Sequence, residues 1–455
     1  MTVWQPTLEA GERAAAPART VPPSRPTGPP RASGGARPAW QRKLGAIAVC
    51  TLPGLLMRLS GAHVTPALGL VAFGGAVMAA AFMLAAAAEA AEIDAPPGIA
   101  VAGIAFVAVL PEFVIEVYFA FTGQIEYVSA SLTGATRLLL SCAVGMPAIA
   151  AAILARRGVH AQRHVELHPQ RRVDLAILSA ASLYAPLVAV RGHLAWQDAL
   201  VLIGLYGLYV RRIAAGSPEP PHLVGIAAEL GRLPERMRKR WVGGIMAFSA
   251  SCVLVTAEPF AHSVLLAGTT VGVSPYLLVQ WLVPLATEMP ELVIAFVLVR
   301  HERPGQAVAV LLSSSVSQWT LALGTLPVAY LAGVGQGPLP LLGREVVELL
   351  LTVGQALLAV AVLVTLRLER RDALLMLGLF AAQLLMPSTA IRAALTLVYL
   401  VLALDILASE RWAVPALRRA LKGEAASDAP AGGPPRASGR SRRARSGTRS
   451  RDAAE

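Results

Sequence analysis

Long apolar segments, separated by short clusters of charge, run through most of this 455-residue chain. Crossing a hydrocarbon core of about 30 Å takes about 20 apolar residues as a helix, and lipid requires every backbone polar group to be satisfied within the structure. The sequence therefore predicts an all-α polytopic membrane protein with about twelve transmembrane helices. Their approximate bounds are 44–60, 66–90, 98–121, 127–155, 173–192, 196–212, 241–268, 274–299, 305–333, 345–366, 372–387 and 391–408.

The distribution of Lys and Arg predicts the orientation of these segments. Short cytoplasmic loops carry an excess of Lys and Arg. With a cytoplasmic N-terminus, the inside loops hold the basic clusters in 156–172, 211–240, 300–303 and 367–371. The outside loops then keep only scattered residues such as Arg58 and Arg191. We therefore expect a multi-pass protein of the cell membrane with both termini in the cytoplasm.

The net charge of +12 comes from the two ends of the chain. Residues 1–43 carry +5 and residues 411–455 carry +7, so the part between them sums to zero. Both ends are rich in Pro, Ala, Gly, Ser and Arg, a composition typical of disorder. We expect basic tails over 1–43 and 409–455 that lie on anionic lipid, rather than a surface that binds nucleic acid.

An internal repeat divides the membrane region. Pro111-Glu112 and Pro290-Glu291 are 179 residues apart, each deep in an apolar segment. The same shift superimposes neighbouring spans, and near the ends Gln197-Asp198-Ala199-Leu200 corresponds to Arg371-Asp372-Ala373-Leu374. Five spans separate each element from its copy, which predicts an inverted-topology repeat of two five-helix halves plus extra terminal spans. The halves are 44–212 and 241–408, joined by a basic linker over 213–240.

Each half carries a proline break and two acids. Glu112 and Glu116 are spaced i, i+4, and Glu288 and Glu291 are spaced i, i+3, so each pair shares a helix face. A proline also frees a backbone carbonyl one turn earlier. Carboxylate and carbonyl oxygens are the ligands that Ca²⁺ takes in sets of about 6–8, and an intramembrane acid is a functional-site hypothesis by default.

A second, polar-studded span follows each acidic one. It brings Ser131 and Thr136 in the first half, and Ser314 and Gln318 in the second. Hydroxyl and amide groups of this kind can complete the shell of an ion, although Ser and Thr are also common between packed membrane helices. The predicted cation ligands are Glu112, Glu291, Glu116, Glu288, Ser131, Thr136, Ser314 and Gln318.

Segments 98–155 and 274–333 resemble the two alpha repeats of the cation/Ca²⁺ exchanger superfamily, which includes the sodium/calcium exchanger membrane region. The resemblance implies a fold of two inverted five-helix halves. In that family the Glu of each repeat's motif is a central Ca²⁺ ligand, and these positions correspond to Glu112 and Glu291. It also implies that the 66–90 and 241–268 helices slide past the site.

The motifs favour the Ca²⁺/H⁺ antiporter branch of that superfamily. The sodium-coupled branch carries Gly-Thr-Ser-Leu-Pro-Glu, whereas this chain has Val107-Ala108-Val109-Leu110-Pro111-Glu112. Ala130-Ser131-Leu132-Thr133-Gly134 is similar to the proton-coupled Gln-Ala-Ser-Leu-x-Gly-Ser. Ser314-Ser315-Val316-Ser317-Gln318 is similar to its Gly-Ser-x-x-Gln, displaced by one residue relative to Glu291.

Arg137 is a possible modulator of the site. An arginine some ten residues into a span either extends along lipid to the interface or pairs with an intramembrane acid such as Glu116. If it occupied the cation site outright, the protein would be a non-transporting member of the same fold. That outcome remains one of the alternatives.

The sequence thus predicts a secondary-active antiporter that exports Ca²⁺ in exchange for H⁺ by alternating access. The alternatives are Na⁺/Ca²⁺ exchange, Na⁺/H⁺ exchange and the non-transporting protein. HExxH pairs and glycine-rich phosphate cradles are missing from the sequence, so we do not expect an enzyme, nor a cofactor beyond the transported ions. The expected partners are inorganic cations and the lipid bilayer; the sequence does not define an oligomeric state.

Overall fold

The computed structural model describes residues 39–61, 64–94, 97–156, 164–215 and 223–423. Within these ranges the chain is predominantly helical. The helices are α1 (Ala39–Ser60), α2 (Pro66–Ala91), α3 (Pro97–Phe121), α4 (Ile125–Arg156), α5 (Arg171–Arg191), α6 (Trp196–Ala214), α7 (Gly225–Gly231), α8 (Glu235–Val271), α9 (Pro275–Arg300), α10 (Pro304–Ser317), α11 (Leu323–Val334), α12 (Arg344–Leu363), α13 (Arg370–Leu385), α14 (Thr389–Ser409) and α15 (Val414–Lys422).

Apolar helices of membrane-spanning length dominate the described chain. Nine of the helical stretches in these ranges are long and apolar enough to cross a membrane, with α10 and α11 counted as one continuous stretch through a π-helical turn at Gln318–Ala322. Every predicted span falls on a helix of the structure, including the first, where α1 continues through Pro53. The prediction of a helical membrane protein is therefore confirmed.

Four short strands show how the two halves are related. They are β1 (His164–Glu166), β2 (His193–Leu194), β3 (Leu339–Pro340) and β4 (Arg367–Glu369). β1, just before α5, pairs with β4, just after α12. β2, just after α5, pairs with β3, just before α12. The equivalent helices α5 and α12, which pack against each other, therefore run in opposite directions. This is the geometry expected of an inverted repeat.

The Asp-Ala-Leu sequence that begins at Asp198 and again at Asp372 has a local structural cause. Asp198 and Asp372 each occupy the third position of their helix, α6 and α13. Asp198 accepts a hydrogen bond from the backbone N–H of Ala195 at 2.7 Å, and Asp372 accepts one from that of Glu369 at 3.1 Å. A side chain that satisfies an otherwise unpaired N–H at a helix start is required equally in both halves.

Helices also lie in the predicted basic linker and at the start of the predicted C-terminal tail. The predicted linker 213–240 includes α7 and the first turn and a half of α8, and the predicted tail from residue 409 onward begins with α15. α15 packs against α5, with Ala416 and Leu417 buried, and the Arg212 guanidinium donates to the Leu421 carbonyl at 2.9 Å. Composition indicated disorder here because the apolar face of α15 is only a few residues wide. The rest of both predicted tails, residues 1–38 and 424–455, lies outside the described residues.

Close packing of α4 against α9 depends on Gly134. A Cβ atom added at Gly134 would overlap the backbone carbonyl of Gln280 on α9. Small residues at such crossings let membrane helices approach closely. This crossing sets the distance between the polar span α4 and the acidic helix α9.

We predict that Gly134→Ala lowers the melting temperature of the purified protein, because the new methyl group must push the α9 backbone away. Overpacking of this kind costs about 1–3 kcal/mol. Gly75→Ala is the matched control, since a Cβ at Gly75 on α2 has nothing within 4 Å. Scanning fluorimetry in detergent measures both; an equal effect at the two positions would contradict the assigned role of the crossing.

Candidate functional site

Four buried carboxyl groups lie on the equivalent helices α3 and α9. α3 carries Glu112 and Glu116, and α9 carries Glu288 and Glu291, with exposed fractions of 1%, 0%, 3% and 5%. Both helices continue through their prolines, Pro111 and Pro290. The i, i+4 and i, i+3 spacings turn each pair of acids toward the protein interior. Burial of four ionisable acids in a membrane protein is costly unless something neutralises them.

The amide of Gln318 joins the two acidic helices. Its Nε2 donates to a carboxylate oxygen of Glu112 and to one of Glu288, and its Oε1 accepts from the Thr136 hydroxyl at 3.4 Å. Two acceptors on one nitrogen lie within about 6 Å of each other, twice an ordinary hydrogen-bond length. Glu112 and Glu288 are therefore side by side, and α4 is connected to them through Thr136.

Gln318 occupies a special backbone position. It is the first residue of the π-helical turn that interrupts α10 and α11. Turns of this kind occur mostly inside α-helices and frequently at functional sites. The displacement of the Gln motif by one residue does not prevent this side chain from reaching the acids.

Several oxygens of this group have no donor. Glu112 Oε1, both carboxylate oxygens of Glu116, Glu291 Oε2 and the Ser131 hydroxyl are buried without a hydrogen-bond partner among the described residues. No Lys, Arg or His in the same ranges forms an ion pair with any of the four acids. Such an arrangement can take up a cation or protons.

The acids do not converge into a preassembled metal centre in this conformation. Across the described ranges, no three His, Cys, Asp or Glu side chains are close enough to hold a metal ion together. Gln318 holds Glu112 beside Glu288 through N–H groups, which point donors rather than acceptors at the carboxylates. Coordination of a cation by this group therefore requires at least the amide to move.

The remaining predicted ligands occupy the two polar spans. Ser131 and Thr136 are fully buried on α4, and Ser314 is buried on α10. The Thr136 hydroxyl also donates to the Leu132 carbonyl at 2.9 Å. Thr136 and Gln318 are connected to the acids by hydrogen bonds, while Ser131 and Ser314 make none to them in the described structure.

Of the two expected alternatives, Arg137 takes the pairing with an intramembrane acid, but that acid is Glu348 rather than the suggested Glu116. The Arg137 guanidinium is fully buried and forms an ion pair with Glu348 on α12 at 2.8 Å. Its Nε donates to the Thr133 carbonyl at 2.9 Å, and its Nη1 donates to Gln383 at 3.3 Å. The guanidinium is thus turned away from the four acids and toward α12 and α13.

Sequence reasoning missed the polar network that receives Arg137. It is built from charged or amide side chains in otherwise apolar helices. Its members besides Arg137 are Gln280, Glu348, Gln355, Gln383 and Arg392. The signal that could have found it is the one that drew attention to Glu112, namely a polar residue deep in an apolar span.

Comparison with known families identifies the chain. The family model described as sodium/calcium exchanger protein matches residues 65–213 and 241–389, which is more than half of the chain. The matched segments run from α2 to α6 and from α8 to α13. This chain belongs to the sodium/calcium exchanger protein family. The two matches are the two halves of the inverted repeat, and α1, α14 and α15 lie outside the matched segments apart from the first residue of α14.

Solved structures show the same membership. The crystal structure of the H⁺/Ca²⁺ exchanger CAX is 33% identical to this exchanger family member, with a TM-score of 0.80, and the match covers 84% of this chain and 98% of that one. The Ca²⁺/H⁺ antiporter protein YfkE is 15% identical with a TM-score of 0.53, covering 79% and 99%, and shows likeness of fold alone. No curated protein sequence matches the chain.

The predicted resemblance to the cation/Ca²⁺ exchanger superfamily, nearer its Ca²⁺/H⁺ branch, is therefore confirmed. The family consists of ion exchangers rather than enzymes, and the chain is a membrane-embedded cation antiporter of this class.

We predict that Gln318→Met destabilises the cation-free protein by about 1–3 kcal/mol, because two buried carboxylates lose their shared donor. Gln124→Met is the matched control, since the Gln124 amide donates to the exposed Thr122 hydroxyl at 3.0 Å and makes no hydrogen bond to the four acids in the described structure. Thermal melting in a chelator-containing detergent buffer measures both variants. Equal melting temperatures for Gln318→Met and the unmodified protein would show that the amide does not hold the acids together.

Proposed function

We propose that this exchanger moves Ca²⁺ out of the cytoplasm in return for protons. The observation that carries the proposal is the group of four buried carboxyl groups, Glu112, Glu116, Glu288 and Glu291, which no cationic side chain among the described residues neutralises. Similarity to the H⁺/Ca²⁺ exchanger CAX at 33% identity supports proton coupling, as do the motif residues around Ser131 and Gln318.

Electrostatics links the two ions. Like charges held close together in a low-dielectric site cannot all remain ionised without a cation. Ca²⁺ supplies two positive charges and takes about 6–8 oxygen ligands; when it leaves, protons must replace its charge. The carboxyl groups then titrate as one coupled group rather than as four independent acids. Exchange of Ca²⁺ for protons follows from that competition.

Gln318 is the residue that we expect to move between the two states. In the present conformation its N–H groups face the acids, while its oxygen faces Thr136. Rotation of the amide by half a turn would present oxygen to a cation and N–H groups to the Thr136 hydroxyl, which can accept as well as donate. We propose Ser131 and Ser314 as further oxygen ligands that become engaged only with the ion bound.

Alternating access is assigned to α2 and α8. These equivalent helices pack along each other, and both contact α3 and α9. Their contact surface includes close approaches at glycine: a Cβ at Gly74 would lie 2.9 Å from the Phe260 ring. A surface with few protruding side chains lets one helix slide past another. We propose that this movement opens the acids to each side of the membrane in turn.

Sodium coupling on the same scaffold is the second candidate. The Ser131 hydroxyl is fully buried and has no hydrogen-bond partner among the described residues, so it is free to bind a small monovalent cation. The third candidate, a site occupied by Arg137, loses its motivating observation because the guanidinium is bound to Glu348.

We further propose twelve spans with both termini in the cytoplasm of a cell membrane, two halves over 44–212 and 241–408, and basic tails that lie on anionic lipid. The clusters of Lys and Arg support this orientation.

The transport prediction concerns Ca²⁺ uptake into proteoliposomes. An imposed pH gradient alone should drive uptake of radioactive Ca²⁺, and Glu112→Gln or Glu291→Gln should reduce it at least about tenfold, since each removes a carboxylate from the coupled group. Glu126→Gln, an exposed acid at the start of α4, is the matched control and should transport normally.

The imposed gradients distinguish the candidates. Uptake that needs a Na⁺ gradient would transfer the assignment to sodium coupling. Absence of uptake under both gradients, with protein correctly inserted, would overturn Ca²⁺ antiport.

The orientation prediction concerns fusions to reporter proteins in a bacterial host. Green fluorescent protein at the C-terminus should be fluorescent, and alkaline phosphatase fused after Gly192, in the loop between α5 and α6, should be active because that loop faces outward. The opposite pattern of the two reporters would overturn the proposed orientation with both termini in the cytoplasm.

A further inference from the structure

Glu348 lies at the centre of a buried ion-pair cluster between α4, α9, α12 and α14. One carboxylate oxygen pairs with Arg137 at 2.8 Å and accepts from the Gln280 amide at 3.1 Å. The other carboxylate oxygen pairs with Arg392. The Nη2 of Arg392 also donates to the side-chain amide oxygen of Gln280, Oε1, at 2.9 Å. Glu348, Arg137 and Arg392 are 0%, 0% and 1% exposed. A single acid therefore pairs with two buried arginines, so the three side chains together keep a net positive charge.

The cluster contains one negative charge, on Glu348, for the two positive charges of Arg137 and Arg392. Removal of one partner from a buried ion pair leaves an uncompensated charge, which is strongly destabilising. The Arg392 Nε is buried and without a hydrogen-bond partner among the described residues. The nearest additional charge, Arg344 with its Nε 3.8 Å from Glu348, is also positive. Neutralisation of Glu348 would leave Arg137 without a counter-charge in this cluster.

Arg137 is close in sequence and in space to the candidate cation site. It directly follows Thr136, whose hydroxyl donates to Gln318, and Gln318 is bound to Glu112 and Glu288. The four acids have no cation of their own among the described residues. They are the strongest concentration of unpaired negative charge near α4. A guanidinium released from Glu348 would be attracted to them.

The first half of the repeat shows what the equivalent acid does without such an arginine. Asp174 on α5 precedes Glu348 by 174 residues, the same offset that separates Asp198 from Asp372. Asp174 is fully buried, accepts from Tyr209 at 2.9 Å and from Ser313 at 3.0 Å, and pairs with a neighbour on its own helix, Arg171, at 3.4 Å. In the first half the acid contacts the Ser313 hydroxyl on the polar span α10. In the second half the equivalent acid, Glu348, forms an ion pair with Arg137 on the polar span α4.

We infer that Glu348 is a positioning residue that keeps the Arg137 guanidinium out of the cation site. The inference rests on the proposed function of the four acids. Without Glu348, Arg137 turns toward those acids and competes with Ca²⁺ as an internal cation. With Glu348 in place, α4 can carry Arg137 beside the four acids without the guanidinium entering the cation site.

The test compares Glu348→Gln with two double variants that carry the same charge as each other. Glu348→Gln should raise the apparent KM for Ca²⁺ about tenfold or more, with Vmax recovered at high Ca²⁺, because coupling between neighbouring charges is typically worth that much. Arg137→Gln combined with Glu348→Gln should restore the KM. Arg392→Gln combined with Glu348→Gln leaves the same cluster charge but retains Arg137, and should not restore it.

Glu348→Asp keeps the negative charge and should retain a KM near that of the unmodified protein. Equal rescue by both double variants would show that only the net charge matters and would overturn the specific role of Arg137. An unchanged KM in Glu348→Gln would overturn the inference as well. If Glu348→Gln alone does not fold, the two double variants, in which one repelling arginine has been removed, still decide between these outcomes.

A structure of Glu348→Gln by electron microscopy separates this inference from the proposed transport function. It shows the Arg137 guanidinium either among the four acids, as expected, or still beside Gln383 and Arg392, which contradicts the inference. That result does not depend on which ion the protein moves. Absence of flux in the unmodified protein would count against the proposed function alone.

Discussion

The candidate site depends on four buried carboxyl groups that form no ion pair with a Lys, Arg or His side chain in the part of the chain that the structure describes. In an apolar interior, the interaction between charges is several times stronger than in water, and an unpaired ion is costly. Glu112 and Glu288 are held together by one amide, and both oxygens of Glu116 and Oε2 of Glu291 have no donor among the described residues. A group of this kind is stable only while something mobile carries the balancing charge, which is the property that an antiporter site requires.

The inverted repeat builds this arrangement from one pattern of helices that occurs twice in the chain. One proline-containing acidic helix followed by one polar helix is used twice, and reversal of the second copy brings α3 and α9 together with α4 and α10 across a common centre. The antiparallel contact of α5 with α12, closed by the β1–β4 and β2–β3 pairs, holds the two copies together at both ends. Because the halves are related in this way, each side of the membrane meets an equivalent set of helices, and one sliding pair, α2 with α8, can serve both.

Periodic and local features were predictable from the sequence, whereas long-range pairings were not. The spans, the repeat and the acids of α3 and α9 followed from apolar length and i, i+4 spacing, which depend on neighbours in the chain. The partner of Arg137 lies 211 residues further along, and nothing local distinguishes Glu348 from Glu116 as that partner. The contact of Gln318 with Glu288 depends on how α10 packs against α9, and α15 is too short for composition to separate it from the tail.

The two halves have diverged most where their buried acids, Asp174 and Glu348, meet the polar spans. Asp174 contacts a tyrosine, a serine and one arginine of its own helix, so one acid is matched by one arginine at that position in the first half. Glu348 instead pairs with two arginines from other helices, so the second half keeps a net positive charge at this position. A positive charge in the same apolar interior opposes the binding of a cation, by an amount that falls with their separation. The asymmetry therefore gives an otherwise symmetric site one side on which the affinity for a cation can be adjusted by a single buried ion pair.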